Sequence, residues 1–167
     1  MACCGKTEIT EEIIHEDSVT REQIIESARS LLGIRFLHQG RDPQTGLDCV
    51  GFWAEVLKRS GIQRIYDLDA YKRVPSHSVL RSYIEKNFEP IELEEARRAD
   101  CLLMRLGGAK PRHVALISDD TIDYKQGREP QIIHALSQGN INRVIEQPLS
   151  RYVSGVVAAF RVPNITD

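Results

Sequence analysis

Near Cys101 the sequence changes its pattern, and that change limits the fold more than any other feature. Beyond it the apolar residues come in short runs, "CLLMRL", "HVALIS", "QIIHAL", "NRVIEQ" and "GVVAAFRV", divided by Gly, Asp, Asn and Pro. Runs of that length between turn residues read as β-strands, and strands joined by short turns pair antiparallel. Ahead of Cys101 the apolar residues recur at helical spacing instead. Helices first and strands afterwards specify an α+β fold with one core, and 167 residues amount to about one domain. The expected organisation is a polar arm at residues 1–18 and a single folded domain at residues 19–167.

The helical half supplies its own start and stop signals. In "TREQIIESARSLLG" Thr20 and Gln23 form a capping box, Ile24, Ala28, Leu31 and Leu32 fall on one face, and Gly33 ends the helix. A loop of turn residues, "GRDPQTG", follows at residues 40–46. Asp48 is then an N-cap, Cys49, Trp53, Val56 and Leu57 share a face, and Gly61 is the stop. Between residues 62 and 99 the chain is charged, with a helix expected at residues 78–87 and a connecting segment after it.

Several classes of function are excluded by what is missing. A net charge of -2 without a clustered basic face gives no reason to expect nucleic acid. The longest apolar run, "VSGVVAAF", is far below the roughly 18 residues of a membrane span. The N-terminus carries no positive region followed by an apolar stretch, so no secretory signal is expected and the chain is expected to be cytoplasmic as synthesised. Lipidation of Cys3 or Cys4 needs a hydrophobic segment ahead of the cysteine, and two residues precede Cys3. With Cys49 and Cys101 the cysteines number four, the wrong pattern for a disulfide scaffold and one that suits a reducing compartment. There is no CxxC pair and no HExxH, so neither a structural zinc site nor another metal or organic cofactor is expected.

Cys49 is the residue that needs a reason. It sits at the first turn of a helix, where unpaired N–H groups and the helix dipole favour negative charge on sulfur. Two histidines, His113 and His134, lie inside expected strands and converge if those strands are neighbours. A thiol, a base and a group that orients the base are the parts of nucleophilic catalysis. Each residue alone also fits a bland role: Cys49 as a small buried hydrophobe, the histidines as groups satisfied by backbone hydrogen bonds. It is the combination that points to chemistry, and Cys101, inside a strand, reads as packing.

These residues also carry a resemblance. "GIRFLHQGRDPQTGLDCVGF" resembles the signature of the NlpC family of papain-like bacterial cell-wall cysteine peptidases. Its "DCVG" with "HQG" upstream is closer to the phage and prophage branch. "ADCLLMRLGGAKPRHVALI" and "IIHALSQGNINRVIEQPL" are similar to the segments that carry the family's other two catalytic positions, and "VVAAFRVP" to the ending of phage members. The resemblance implies a papain-like fold, with the cysteine's helix packed on a C-terminal antiparallel sheet and Cys49, His113 and His134 in the catalytic positions. It departs from the pattern at Phe36, where many members have a tyrosine, at Val50 in place of serine, and at Arg98 and Ala99 in place of a Pro-Gly turn before Asp100.

The function implied is hydrolysis of the peptidoglycan stem peptide between D-glutamate and a diamino acid, by a Cys49 thiolate paired with His113. Phe36, His38 and Asp48 are the expected substrate contacts. The peptidoglycan stem peptide is the expected partner, with phage tail proteins beside it and delivery in a virion tail or to the wall by another device. Two alternatives share the fold: a catalytically idle tail-assembly or binding module, and an amidase or acyltransferase acting on a different acyl donor.

Overall fold

The capping box at Thr20 forms as its residues require. Its hydroxyl takes the Gln23 N–H at 3.2 Å and Gln23 Oε1 takes the Thr20 N–H at 2.8 Å. The computed structural model in which this is seen describes residues 18–62, 77–123 and 125–167. The arm at residues 1–17, with Cys3 and Cys4, lies outside the described residues. Helix α1 is Arg21–Arg29, α2 is Cys49–Arg59 and α3 is His77–Asn87.

Among the described residues ten strands accompany them. Short pairs are formed by β1 (Val19–Thr20) with β10 (Ile165–Thr166), in parallel, and by β2 (Arg41–Asp42) with β3 (Gly46–Leu47). The main sheet contains β4 (Glu89–Ile91), β5 (Cys101–Met104), β6 (His113–Asp119), β7 (Gln131–Gln138), β8 (Ile141–Pro148) and β9 (Val156–Arg161). Their order is β4-β9-β5-β6-β7-β8, and every pairing is antiparallel. All five apolar runs of the second half became strands of this sheet. The expected α+β fold is therefore the one observed.

Alternation along the strands splits the core in two. Cys101, Leu103, Val114, Leu116, Ile133, Ala135 and Phe160 join the helices in the larger cluster, with Phe52, Trp53 and Leu57 of α2. Leu102, Met104, Ala115, Ile117, Ile132 and Ala159 form a second cluster, which Leu149 and Tyr152 help to cover. Helix α2 is buried nearly all round: Val50, Gly51, Phe52 and Ala54 are buried with the four residues of its expected apolar face.

Two local expectations are corrected. Helix α1 ends at Arg29, not at Gly33, because after it the bonds tighten to i→i−3, Leu31 N–H to Ala28 O and Leu32 N–H to Arg29 O, both at 3.1 Å; Leu32 is then 40% exposed while Ile25 takes the place expected for it in the core. The segment after α3, expected only to connect, supplies the edge strand β4 on β9. Its acidic, proline-containing sequence suits an edge, where unpaired groups face water. At the start of α1, Arg21 is only 2% exposed. Its Nη1 donates to Arg98 O at 2.6 Å and to Asp100 at 3.1 Å, and its Nε to Asp167 at 2.8 Å.

Asp100 is the centre of that network. Fully buried, it also takes Arg161 Nη2 at 2.8 Å and the Arg97 N–H at 3.0 Å. Removing one partner from such a buried pair costs about 3 to 5 kcal/mol. The residue before it holds the turn open: Ala99, fully buried, has φ +67 and donates its N–H to Ile117 O at 2.7 Å. A left-handed conformation costs an L-residue with a Cβ roughly 1–2 kcal/mol, part of which glycine's larger unfolded-state entropy offsets. Ala99→Gly should therefore raise unfolding stability by about 0.5 to 1 kcal/mol, read from the denaturant midpoint. A lower midpoint would show that the Ala99 methyl contributes more by packing than its backbone loses by strain.

Candidate active site

The mouth of α2 is built around Asp48. Its Oδ1 accepts the N–H groups of Val50 at 3.0 Å and Gly51 at 2.8 Å and pairs with Arg41, while Oδ2 accepts the Gln39 N–H at 3.1 Å. Its carbonyl takes the Phe52 N–H at 2.8 Å. Of the first-turn donors this leaves the Cys49 N–H. Gly51 has a separate reason to be glycine: a Cβ there would lie 2.0 Å from Gly40 O. The "HQG" and "DCVG" segments are thus pressed together, backbone on backbone.

The two histidines meet across neighbouring strands. Leu116 of β6 faces Ile133 of β7, and that register puts His113 and His134 on one side of the sheet. Their rings stand edge to face with centroids 5.0 Å apart, and His113 Nε2 lies 2.9 Å from His134 Nδ1. His134 Nε2 in turn lies 3.3 Å from Gln147 Oε1, which also receives the Tyr152 hydroxyl at 2.6 Å. His134 is fully buried and His113 nearly so.

A cavity of about 670 Å³ opens where α2 meets the sheet. Cys49 and His113 both line it, with Phe36, His38, Asp48 and the Leu106–Lys110 stretch of the β5–β6 loop among the other walls. The thiol also lies against the N–H of Val114, the residue after His113.

Comparison with known proteins bears on this arrangement. No family model matches the chain, and no curated protein does. Solved structures do match in fold. An NLP/P60 family protein similar to lipoproteins, from Staphylococcus aureus subsp. aureus Mu50, superposes with a TM-score of 0.56 at 20% identity, over 91% of this chain and 45% of that one. An NlpC/P60 family protein from Bacillus cereus ATCC 10987 gives 0.62 at 19% identity, over 87% and 41%. The NlpC/p60 domain of the peptidoglycan hydrolase SagA gives 0.57 at 22% identity, over 86% of this chain and all of that domain. The fold is the papain-like fold of NlpC/P60 proteins. The chain spans less than half the length of the first two of these structures.

On this NlpC/P60 framework the residues singled out from sequence fall into three groups. Cys49 and His113 share the cavity, and His134 stands behind His113. Phe36 and His38 line the cavity, with His38 exposed. Asp48 lines it too, but both of its oxygens are engaged by the protein. Cys101 is fully buried between β6 and β9 and is free of any disulfide. Sequence reasoning missed Arg41, Gln147, Tyr152 and the Leu106–Lys110 wall; nothing in "EQPLSRY" marks two side chains that pack on or bond to a histidine thirteen and eighteen residues away. Among the described residues no group of three or more His, Cys, Asp and Glu could hold a metal ion, and no helix is long and apolar enough to cross a membrane.

Electrostatics corrects one expectation. Burial, with the Asp48 charge adding to it, pushes the Cys49 thiol up to about 12, against the pull of the Val114 and Val50 N–H groups and Arg41. Burial, and the neighbouring His134, push His113 down to about 3. The resting pair is a thiol and a neutral imidazole, not the ion pair expected from sequence. The two charges arise together, when the proton passes from sulfur to His113, and that transfer leaves the proton count unchanged. Alkylation of Cys49 by iodoacetamide should then be nearly independent of pH between 5 and 8, inside the window from about 3 to about 12. In His113→Asn the thiol must ionise alone, so its rate should rise about tenfold per pH unit and nearly vanish at pH 5. A wild-type rate that climbs in the same way would show that His113 does not take the proton.

Proposed function

We propose that this chain is a cysteine peptidase that hydrolyses the stem peptide of peptidoglycan. One observation carries the reading: a thiol at a helix mouth shares an open cavity with a histidine whose far nitrogen is tied to a second buried histidine. A packing role for Cys49 requires none of these three features. The reading is supported further by the fold shared with the NlpC/P60 domain of a peptidoglycan hydrolase, and by the Asp48-Cys49-Val50-Gly51 signature.

The reaction follows from the positions of the groups. Cys49 Sγ attacks the peptide carbonyl carbon as its proton passes to His113 Nδ1. The carbonyl oxygen becomes an oxyanion, for which the Cys49 N–H at the start of α2 is the free donor, with the helix dipole behind it. His113 then gives the proton to the leaving amine, and a thioester to Cys49 remains. Water, deprotonated by His113, attacks the thioester; the acid departs and the thiol is restored. Phe36 offers no hydroxyl to the oxyanion, which places more of that stabilisation on backbone N–H groups.

At the finer level, we propose that the bond cut lies between D-glutamate and the diamino acid, and that the protein acts in a phage or prophage tail or reaches the wall by another device. Residues 19–167 serve as the peptidase domain and residues 1–18 as an arm outside it. These rest on the sequence resemblance.

Digestion of purified peptidoglycan, followed by mass spectrometry of the released fragments, tests the reading. Wild-type protein should release peptides with a new D-glutamyl terminus and a new diamino-acid amine. Cys49→Ala, which removes one sulfur atom from the cavity wall, should keep the fold and lose at least about a thousandfold in turnover. Cys101→Ala should leave turnover unchanged. Absence of any released peptide from folded wild type would favour an idle module, and turnover in Cys49→Ala within tenfold of wild type would end the thiol mechanism.

A further inference from the structure

The proposed reaction needs His113 Nδ1 without a proton, and the histidine pair alone does not provide that. At 2.9 Å either His113 Nε2 or His134 Nδ1 can be the donor. If His134 donates, His113 as a neutral ring carries its proton on Nδ1 and presents an N–H, not a lone pair, to the thiol. Something beyond His134 must decide.

That decision is made on the far side of His134, away from the cavity. The Tyr152 oxygen lies 2.6 Å from Gln147 Oε1, a distance that suits O–H···O and is short for N–H···O. The amide therefore turns its oxygen to the phenol, and the same oxygen faces His134 Nε2 at 3.3 Å. An amide oxygen only accepts, so His134 must carry its proton on Nε2. Its Nδ1 is then the acceptor, His113 Nε2 the donor, and His113 Nδ1 the lone pair. The Tyr152 ring also packs edge to face on His134 with centroids 5.1 Å apart, which fixes the plane of the ring.

We propose that Gln147 and Tyr152 are positioning residues that set the tautomers of both histidines and so make His113 Nδ1 the base. Gln147 is buried, neither residue lines the cavity, and neither is assigned a role by the sequence signature. The donations converge on the Gln147 oxygen, from His113 through His134 on one side and from the Tyr152 hydroxyl on the other. Its consequence for turnover rests on the peptidase reading; its consequence for Cys49 reactivity does not.

The test compares Gln147→Leu, Gln147→Glu and Tyr152→Phe with wild type in two assays: iodoacetamide alkylation of Cys49 at pH 6, and peptidoglycan hydrolysis. Leucine removes the acceptor and leaves an apolar group of similar size, so both rates should fall about tenfold or more with KM unchanged. Glutamate still accepts from both neighbours and should return both rates to within about threefold of wild type. Tyr152→Phe frees the amide to turn, and should give a loss smaller than that of Gln147→Leu. A Gln147→Leu protein within twofold of wild type in alkylation would overturn the proposal. So would equal losses in the leucine and glutamate variants, because they would assign Gln147 to packing alone. If Gln147→Leu fails to fold, the pair Gln147→Glu and Tyr152→Phe decides: glutamate near wild type with phenylalanine slowed supports the proposal, and any other ranking overturns it. Should no variant and no wild type release peptide while alkylation follows the expected order, the peptidase reading falls and the positioning of His113 stands.

Discussion

The site depends first on where one buried carboxylate sits, because Asp48 closes the first turn of α2 and ties it to the loop before it. It satisfies Val50 and Gly51 from the helix, Gln39 from the loop and the Arg41 guanidinium from β2. With those donors taken, Cys49 is fixed at the first turn of the helix, in the wall of the cavity. Gly51 against Gly40 O completes the clamp, since no side chain fits between the two segments. Without the Asp48 side chain, a cysteine placed there would share its helix mouth with the unpaired N–H groups of Val50 and Gly51 and have no defined loop.

The second requirement is met from the sheet. Antiparallel register between β6 and β7 brings two histidines twenty-one residues apart into hydrogen-bond contact, and the turn after β8 returns Tyr152 to the same face. Helix and sheet thus deliver separate halves of the site, the sulfur from one and the base from the other. The fold joins them at one cavity, and this is why the core must be rigid on both sides of it. The Arg21–Asp100–Arg161 network contributes by locking the start of β5, the strand beside β6, to α1 and β9.

Much of this was legible in the sequence, and the reasons differ by element. Asp48 before Cys49 is a local signal: a capping side chain acts within three residues, so the sequence carries the whole interaction. The strands from Cys101 onward were legible from run length and turn residues, and the histidines from their place in those runs. What stayed hidden is non-local or depends on backbone detail. Arg21 reads as a solvated charge until Asp100, seventy-nine positions on, is known to lie beside it. Ala99 gives no sign of its left-handed φ, although the glycine common in the family at that point hints at it. The Gln147–Tyr152 pair is visible only once the register of β7 and β8 is set. The ion pair expected at Cys49 was argued from its pairing with His113 and from the helix mouth; the structure adds burial, which acts on both partners in the opposite sense and is the larger effect.

The central claim is that a neutral His113 presents the lone pair of Nδ1 to the Cys49 thiol. Nitrogen-15 NMR of the imidazole side chains in the full chain measures this directly, since protonated and unprotonated ring nitrogens resonate far apart. At pH 8 the account predicts a proton on Nε2 of both His113 and His134 and none on either Nδ1, with no titration of His113 down to pH 5. A proton on His113 Nδ1, or a His113 that becomes imidazolium within that range, would contradict it.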